Sequence, residues 1–184
     1  MKSRVHDPLR LELTAFAQDA AEIEGTWPLT ELPRLLADWP ADAPAPTGVV
    51  EWQARGEARR PSGSETEVWL HLNASTRVWR ECQRCLGAVE VPLQVERSLR
   101  FVLGAGAAAA LDEDSEVDVL ELLRSHDLRD LIEEELLLAT LHVIRHSHCP
   151  VPLPIAVADE IPVERENPFA ALSGWRNDKP PKPH

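Results

Sequence analysis

The middle third of the chain alternates apolar and polar side chains, and this pattern limits the fold more than any other feature of the sequence. Only a β-strand with one buried face places every second side chain on the same side. Arg97 interrupts the last alternating stretch, and Pro92 favours an edge strand or a bulge there. The alternating stretches are residues 50–54, 68–72 and 89–103. The pattern predicts an antiparallel sheet from about residue 49 to residue 102.

Helical spacing of apolar residues appears on both sides of this region. The longer pattern predicts a helix over residues 127–141, with Asp127 or Ser125 as its N-cap. A short N-terminal helix is predicted over residues 31–38, with Thr30 as its cap. We therefore expect an α+β fold in which an antiparallel sheet, open or barrel-like, packs with a few helices.

The length of 184 residues fits one domain. We expect this domain to cover residues 1–172, with flexible loops near residues 40–48, which are rich in proline, and near residues 104–116, which begin with a run of glycine and alanine. Residues 173–184 end in the lysine- and proline-rich stretch 179–184 and are predicted to be a disordered tail.

The charge and the apolar content limit the possible environments of the chain. The formal net charge of −12 opposes a broad nucleic-acid surface, because phosphate is repelled at long range. The sequence contains no apolar run long enough to span a membrane, and its first residues lack the apolar core of a secretory signal. Three cysteines are too few for a disulfide scaffold. Together these features predict a cytoplasmic protein.

All three cysteines lie in segments rich in cysteine or histidine. Cys82 and Cys85 form a Cys-x-x-Cys pair between two predicted strands, and Cys149 follows two histidines. Two thiolates at this spacing can bind one ion, and a distant Cys with a His can complete a tetrahedral zinc site. The candidate ligands are Cys82, Cys85, His146 and Cys149, with His148 or His142 as the alternative histidine.

Other interpretations of these cysteines stay open. They are also consistent with unligated thiols, with a redox pair, or with a thiol nucleophile at Cys149 beside its histidines. A redox pair of the thioredoxin type would open a helix, whereas strands flank this one. The sequence contains no recognisable P-loop, dinucleotide-binding or zincin motif, and we assign no catalytic residue.

Two charged surfaces are candidates for binding a partner. Arginines cluster around the Cys-x-x-Cys pair and, with the nearby tryptophans, suit contacts with RNA phosphates and bases, although neighbouring glutamates partly neutralise them. Carboxylates of the 127–141 helix suit docking of a basic protein, or they form a solubilising surface. The arginines are Arg77, Arg80, Arg84, Arg97 and Arg100, and the acidic face consists of Asp130, Glu133 and Glu134.

Four elements, in order, resemble a known family. They are the segment 81–85 followed by an alternating strand, the acidic helix at 127–139, Arg145-His146 with Cys149-Pro150, and residues 167–172. Together they resemble the YceD family of bacterial proteins, also called DUF177. The resemblance implies a non-enzymatic factor in the accumulation or processing of large-subunit ribosomal RNA, with precursor RNA, a basic ribosomal protein, or both as partners. The rival classes are an RNA-processing nuclease or thiol enzyme, and a zinc-stabilised interaction module without a role in RNA.

The sequence departs from the family pattern at one place. Leu141 and Ile144 stand where the family usually has prolines. Proline would end the preceding helix, so its absence allows the helix to continue. In that case His142 and His146 would share one helix face, which would change the role expected for His146.

Overall fold

The computed structural model describes residues 4–60, 66–140 and 143–150. All of them belong to the first of the two units into which the chain divides, residues 1–152. The predicted domain limit at residue 172 and the predicted tail over residues 173–184 lie outside the described residues and stay predictions.

Five strands form one open sheet in the order β1-β2-β3-β4-β5. The strands are β1 (Glu22–Pro28), β2 (Val49–Arg59), β3 (Glu67–Glu81), β4 (Ala88–Val102) and β5 (Val119–Glu121). Strands β1 to β4 pair antiparallel with their sequence neighbours, whereas the short β5 pairs parallel with β4. The predicted sheet over residues 49–102 is confirmed. The complete sheet is mixed, and it is not closed into a barrel.

Four α-helices accompany the sheet in the described part of the chain, so the predicted α+β class is confirmed. The helices are α1 (Leu13–Gln18), α2 (Pro33–Leu36), α3 (Ala105–Asp112) and α4 (Leu128–Leu138), and short 3₁₀ turns lie at Pro8–Arg10 and Leu29–Glu31. None of the described helices is long and apolar enough to cross a membrane.

The core lies on the face of the sheet that carries the apolar half of the alternation. Leu70 and Leu72 of β3 are buried together with Phe16 of α1 and Ile132 of α4. Helix α1 approaches β2 closely at Gly56, where an added Cβ would lie 2.7 Å from the carbonyl oxygen of Phe16. The outward residues of β2 to β4 are mostly polar, so one face of the sheet is packed and the other faces solvent.

The N-terminal helix differs from its prediction. Helix α2 covers only Pro33–Leu36, and it follows a 3₁₀ turn at Leu29–Glu31 in which Thr30 caps no helix. Pro33 occupies the first helical turn, where its fixed φ is favourable and its missing N–H is not needed. The carboxylate of Glu133, from α4, accepts hydrogen bonds from the N–H groups of Arg34 and Leu35 (2.7 and 3.1 Å). A residue remote in sequence therefore caps this helix.

Helix α4 begins as predicted and ends earlier than predicted. Asp127 accepts hydrogen bonds from the N–H groups of Arg129 and Asp130 and is the N-cap. The helix ends at Leu138, and His146 lies on an irregular segment over residues 143–150. The helix therefore does not carry His146, so the proposed shared face with His142 is wrong, and His142 itself lies outside the described residues.

The segment near residues 104–116 also differs from its prediction as a flexible loop. It contains helix α3 at Ala105–Asp112. Alanine has the highest helix propensity, and four consecutive alanines at 107–110 outweigh the cost of Gly106. Residues 40–48 contain neither helix nor strand.

Candidate metal centre

Cys82 and Cys85 lie on a tight turn at residues 82–87, which connects β3 to β4. The N–H of Cys82 donates to the carbonyl oxygen of Gly87 (3.0 Å), and the N–H of Leu86 donates to that of Cys82 (2.8 Å). Leu86 adopts a left-handed conformation with a φ of 60°, which lets the chain reverse within this short connection. Cys82 is completely buried, whereas Cys85 is half-buried.

The segment at residues 143–150 brings the other two candidate ligands to this turn. The N–H of Gln83 donates to the carbonyl oxygen of Ile144 (2.9 Å), and the Ile144 side chain is buried in the core. The N–H of His146 points to the Sγ of Cys82 (3.4 Å). These contacts hold the backbone of the segment against the turn independently of the ligand side chains.

The four candidate ligand atoms are close enough together to bind one metal ion. All four lie within 4.8 Å of one another. The Sγ atoms of Cys82 and Cys149 are 3.8 Å apart, and the Sγ of Cys85 is 3.4 Å from the Nδ1 of His146. A zinc tetrahedron with ordinary bond lengths has edges of about 3.8 Å between two sulfurs and about 3.6 Å between sulfur and nitrogen. The donor set and its geometry therefore fit Zn²⁺.

The imidazole of His146 is oriented by a second contact. Its Nε2 lies 3.0 Å from the carbonyl oxygen of Ala88, which can only accept a hydrogen bond. The proton therefore sits on Nε2, and the lone pair of Nδ1 points at the cysteines. Metal-binding histidines are commonly fixed by such a contact to a backbone carbonyl.

The surroundings of the thiols prepare them for a cation. Burial raises the pKa of Cys82, but hydrogen bonds from the backbone N–H groups of Cys85, His146 and Arg84 outweigh it and lower the pKa to about 5. The N–H of Gly87 lowers the pKa of Cys85, but burial and the neighbouring thiols outweigh it and raise the pKa. The Cys82 thiol therefore ionises more readily than the Cys85 thiol, and a divalent cation beside both sulfurs would favour the ionised form of each.

Arg84, one of the arginines predicted to contact RNA, lies over the centre. Its Nε donates to the Sγ of Cys149 (3.0 Å), and its terminal NH2 group donates to the carbonyl oxygen of His146 (3.2 Å). The hydrogen bond to the sulfur raises the pKa of this guanidinium further. One Zn²⁺ with three thiolates carries a net charge of −1, and Arg84 is placed to balance it.

The other predicted arginines are compensated or buried. Three of them form ion pairs within the chain: Arg77–Glu90 (3.1 Å), Arg97–Glu135 (3.2 Å) and Arg100–Glu67 (2.8 Å). Arg80 is buried, which lowers the pKa of its guanidinium, and it donates to the carbonyl oxygen of Trp79 (3.0 Å). Arg80 therefore does not belong to an exposed binding surface, which corrects the prediction for this residue.

The predicted acidic face of α4 is only partly a surface. Glu133 is buried as the cap of α2, so it is unable to dock a partner, which corrects its prediction. Glu134 forms an ion pair with the guanidinium of Arg34. Asp130 is exposed. The remaining face is therefore smaller and less acidic than the sequence predicted.

One exposed cation near the centre was missed by the sequence analysis as a binding residue. Arg145 is exposed, and its guanidinium has no partner among the described residues. The signal was present in the sequence: residues 82–89 and 143–150 contain no carboxylate, although the chain has a net charge of −12. His148, the alternative ligand, is exposed and lies outside the group of four.

Comparison with protein families gives one result that covers this region. The family model described as "Large ribosomal RNA subunit accumulation protein YceD" matches residues 70–174, which is more than half of the chain. The match begins within β3 and includes all four candidate ligands. No curated protein and no solved structure matches the chain.

Proposed function

This chain belongs to the YceD family, and we propose that it is a cytoplasmic, non-enzymatic factor that supports the accumulation of large-subunit ribosomal RNA. The family match over residues 70–174 carries the proposal, because its description names that process. The chain acts by binding precursor RNA, a basic ribosomal protein, or both. Its net charge of −12 favours association with basic proteins.

The metal centre supports a binding role in this proposal. Cys82, Cys85, His146 and Cys149 would hold one Zn²⁺ with four protein ligands, which their close approach supports. A zinc site with four protein ligands is typical of a structural role, whereas catalytic zinc keeps one position for water or substrate. The same arrangement would disfavour a thiol enzyme, because all three cysteines of the chain would serve as ligands.

The test is the ratio of mature large-subunit to small-subunit ribosomal RNA in cells that lack this chain. We expect a selective loss of the large-subunit RNA and recovery when the wild-type chain is supplied. An unchanged ratio in the deletion strain would refute the proposed function.

Cysteine variants then test the non-enzymatic part. Cys85→Ser removes one ligand, so we expect less bound zinc, lower thermal stability and weaker rescue. Ser125→Ala is the matched control, because Ser125 is exposed before α4 and is not in the ligand group. A Cys85→Ser chain that retains its stability and its zinc, yet fails to rescue, would instead indicate catalysis.

A further inference from the structure

We propose that the exposed rim of the metal centre, residues 83–86 and 143–148, is the surface through which this chain contacts single-stranded RNA. We call it the metal-centre rim. The inference rests on the proposed function, which leaves open whether RNA or protein is touched, and it assigns RNA to this surface.

The metal-centre rim differs electrostatically from the rest of the chain. Its two segments and their immediate continuations, residues 82–89 and 143–150, carry Arg84 and Arg145 and no carboxylate. The chain as a whole has 31 acidic and 19 basic residues. Two carboxylates border the rim: Glu81 ends β3, and the Oδ2 of Asp42 accepts the N–H of Ala88 (3.0 Å). Phosphate is therefore repelled by the net charge of the chain, and these two segments add no carboxylate to that repulsion.

Arg145 supplies the free phosphate donor. It is exposed and has no partner among the described residues, unlike Arg77, Arg97 and Arg100 with their ion pairs. A guanidinium in an ion pair must break that pair before it binds phosphate, whereas Arg145 has no such pair to break within the described residues. Arg84 balances the charge of the centre through its hydrogen bond to Cys149, so Arg145 supplies the net positive charge of the rim.

Exposed apolar side chains accompany these cations. Leu86 is 65% exposed at the tip of the turn, and Val143 is 55% exposed next to Ile144. Unpaired bases present apolar faces that can pack on such groups, whereas a duplex hides them. This combination favours single-stranded RNA over a duplex.

The rim is rigid, which lowers the entropic cost of binding. The hydrogen bond between Gln83 and Ile144 joins its two segments, and the four ligands lie directly beneath them. Zinc would fix the positions of Arg84 and Arg145 relative to each other. Preorganised donors lose less conformational entropy when a ligand binds.

The test uses the full zinc-loaded chain and a short, labelled single-stranded oligoribonucleotide of mixed sequence, with the affinity measured across a range of salt concentrations. We expect Arg145→Gln to weaken binding by about fivefold near 0.1 M salt, and to reduce the slope of log K against log salt by about 0.7, the value for one phosphate contact on a single strand. Arg145→Lys should restore most of the slope, because it keeps the charge.

Arg124→Gln is the matched control. Arg124 is exposed and precedes α4, whereas the rim follows it, and the two ends of this helix are roughly 16 Å apart. Arg124→Gln should leave the RNA affinity and the slope of log K against log salt unchanged. Zinc content and melting temperature should be the same for all variants, which separates lost contacts from lost structure.

Two results would overturn the inference: no RNA binding by the wild-type chain at low salt, or equal binding by the wild type and Arg145→Gln. The cellular ratio distinguishes this failure from failure of the proposed function. If deletion lowers large-subunit RNA and the Arg145→Gln chain restores it fully, the proposed function stands and the rim is not its RNA contact. If deletion leaves the ratio unchanged, the proposed function fails.

Discussion

At the scale of single residues, His126 is a half-buried imidazole in its neutral form. Its Nε2 accepts a hydrogen bond from the N–H of Leu123 (3.1 Å), and its ring packs edge-on against Phe101, with centroids 4.9 Å apart. Burial lowers the pKa of this imidazole below its ordinary value. Protonation of His126 is therefore less favourable in the folded state than in the unfolded state.

We predict that His126 makes the fold less stable in acid. Below its unfolded pKa of about 6.5, the unfolded chain binds a proton that the folded chain resists, so the stability contribution falls as the pH falls. His126→Gln keeps an acceptor without a titrating group. The free energy of unfolding should therefore fall more steeply for the wild type than for His126→Gln between about pH 7 and about pH 5. Parallel curves from urea denaturation would refute this assignment.

Glu133 and Glu134 are neighbours on α4 with very different surroundings. Glu133 is buried and accepts three hydrogen bonds from Arg34 and Leu35, two of them from backbone N–H groups. Glu134 is exposed, and within the described residues its only partner is the guanidinium of Arg34.

We predict that Glu133→Ala lowers the free energy of unfolding by about 3 kcal/mol, because it leaves buried N–H groups without an acceptor. Glu134→Ala is the control and should change it by less than about 1 kcal/mol, as for other exposed ion pairs. If chemical denaturation gave equal losses of unfolding free energy for the two variants, the buried cap would contribute no more stability than the exposed ion pair.

At the scale of elements, local signals explain what the sequence predicted. Strands β2 to β4 and the start of α4 were predicted because their signals depend on residues that are close together in sequence. These signals are the alternation of apolar and polar residues in the strands and the Asp127 cap of the helix. The cap of α2 is Glu133, 99 residues after Arg34, and no local pattern contains it. Arg97 breaks the alternation of β4 for a similar reason, since its partner Glu135 lies on α4.

The candidate site divides in the same way. The types of its ligands could be read from the Cys/His segments, and the four favoured residues are the ones that converge. The choice of His146 over His148 needed the contact with Ala88. Arg84 lies over Cys149 because two segments that are distant in sequence approach each other in the fold. The sequence alone therefore could not predict that Arg84 contacts the metal centre while the other four arginines do not.

The contact between α1 and β2 gives a prediction for a matched pair of glycines. Gly56→Ala places a Cβ 2.7 Å from the backbone oxygen of Phe16, so α1 must shift, and we expect a loss of at least about 2 kcal/mol. Gly106→Ala lies in α3 with nothing within 4 Å, and we expect a gain of about 0.5–1 kcal/mol from helix propensity. The two melting temperatures should therefore move in opposite directions. A shift in the same direction would contradict this packing.

At the scale of the whole molecule, the metal centre links the β3–β4 turn to the segment after α4. A bound ion at a thousandfold excess over its dissociation constant stabilises a fold by about 4 kcal/mol. In a chain of this size each kcal/mol corresponds to about 2–4 °C in melting temperature.

We therefore predict that a strong chelator lowers the melting temperature by roughly 8–16 °C, and that added Zn²⁺ restores it. Mg²⁺ should not restore it, because thiolates are poor ligands for a hard cation. A melting temperature that the chelator leaves unchanged would refute a structural zinc.

The wide sequence separation within the metal centre also has a consequence for biosynthesis. Cys85 and His146 are 61 residues apart, and Cys82 and Cys149 are 67 apart. During translation the first two cysteines leave the ribosome well before the last two ligands. The sheet has its strands β1 to β4 available in that interval, whereas a complete set of four ligands exists only after residue 149 has emerged. A nascent chain can therefore bind zinc tightly only after the residues of the sheet and of α4 have been synthesised.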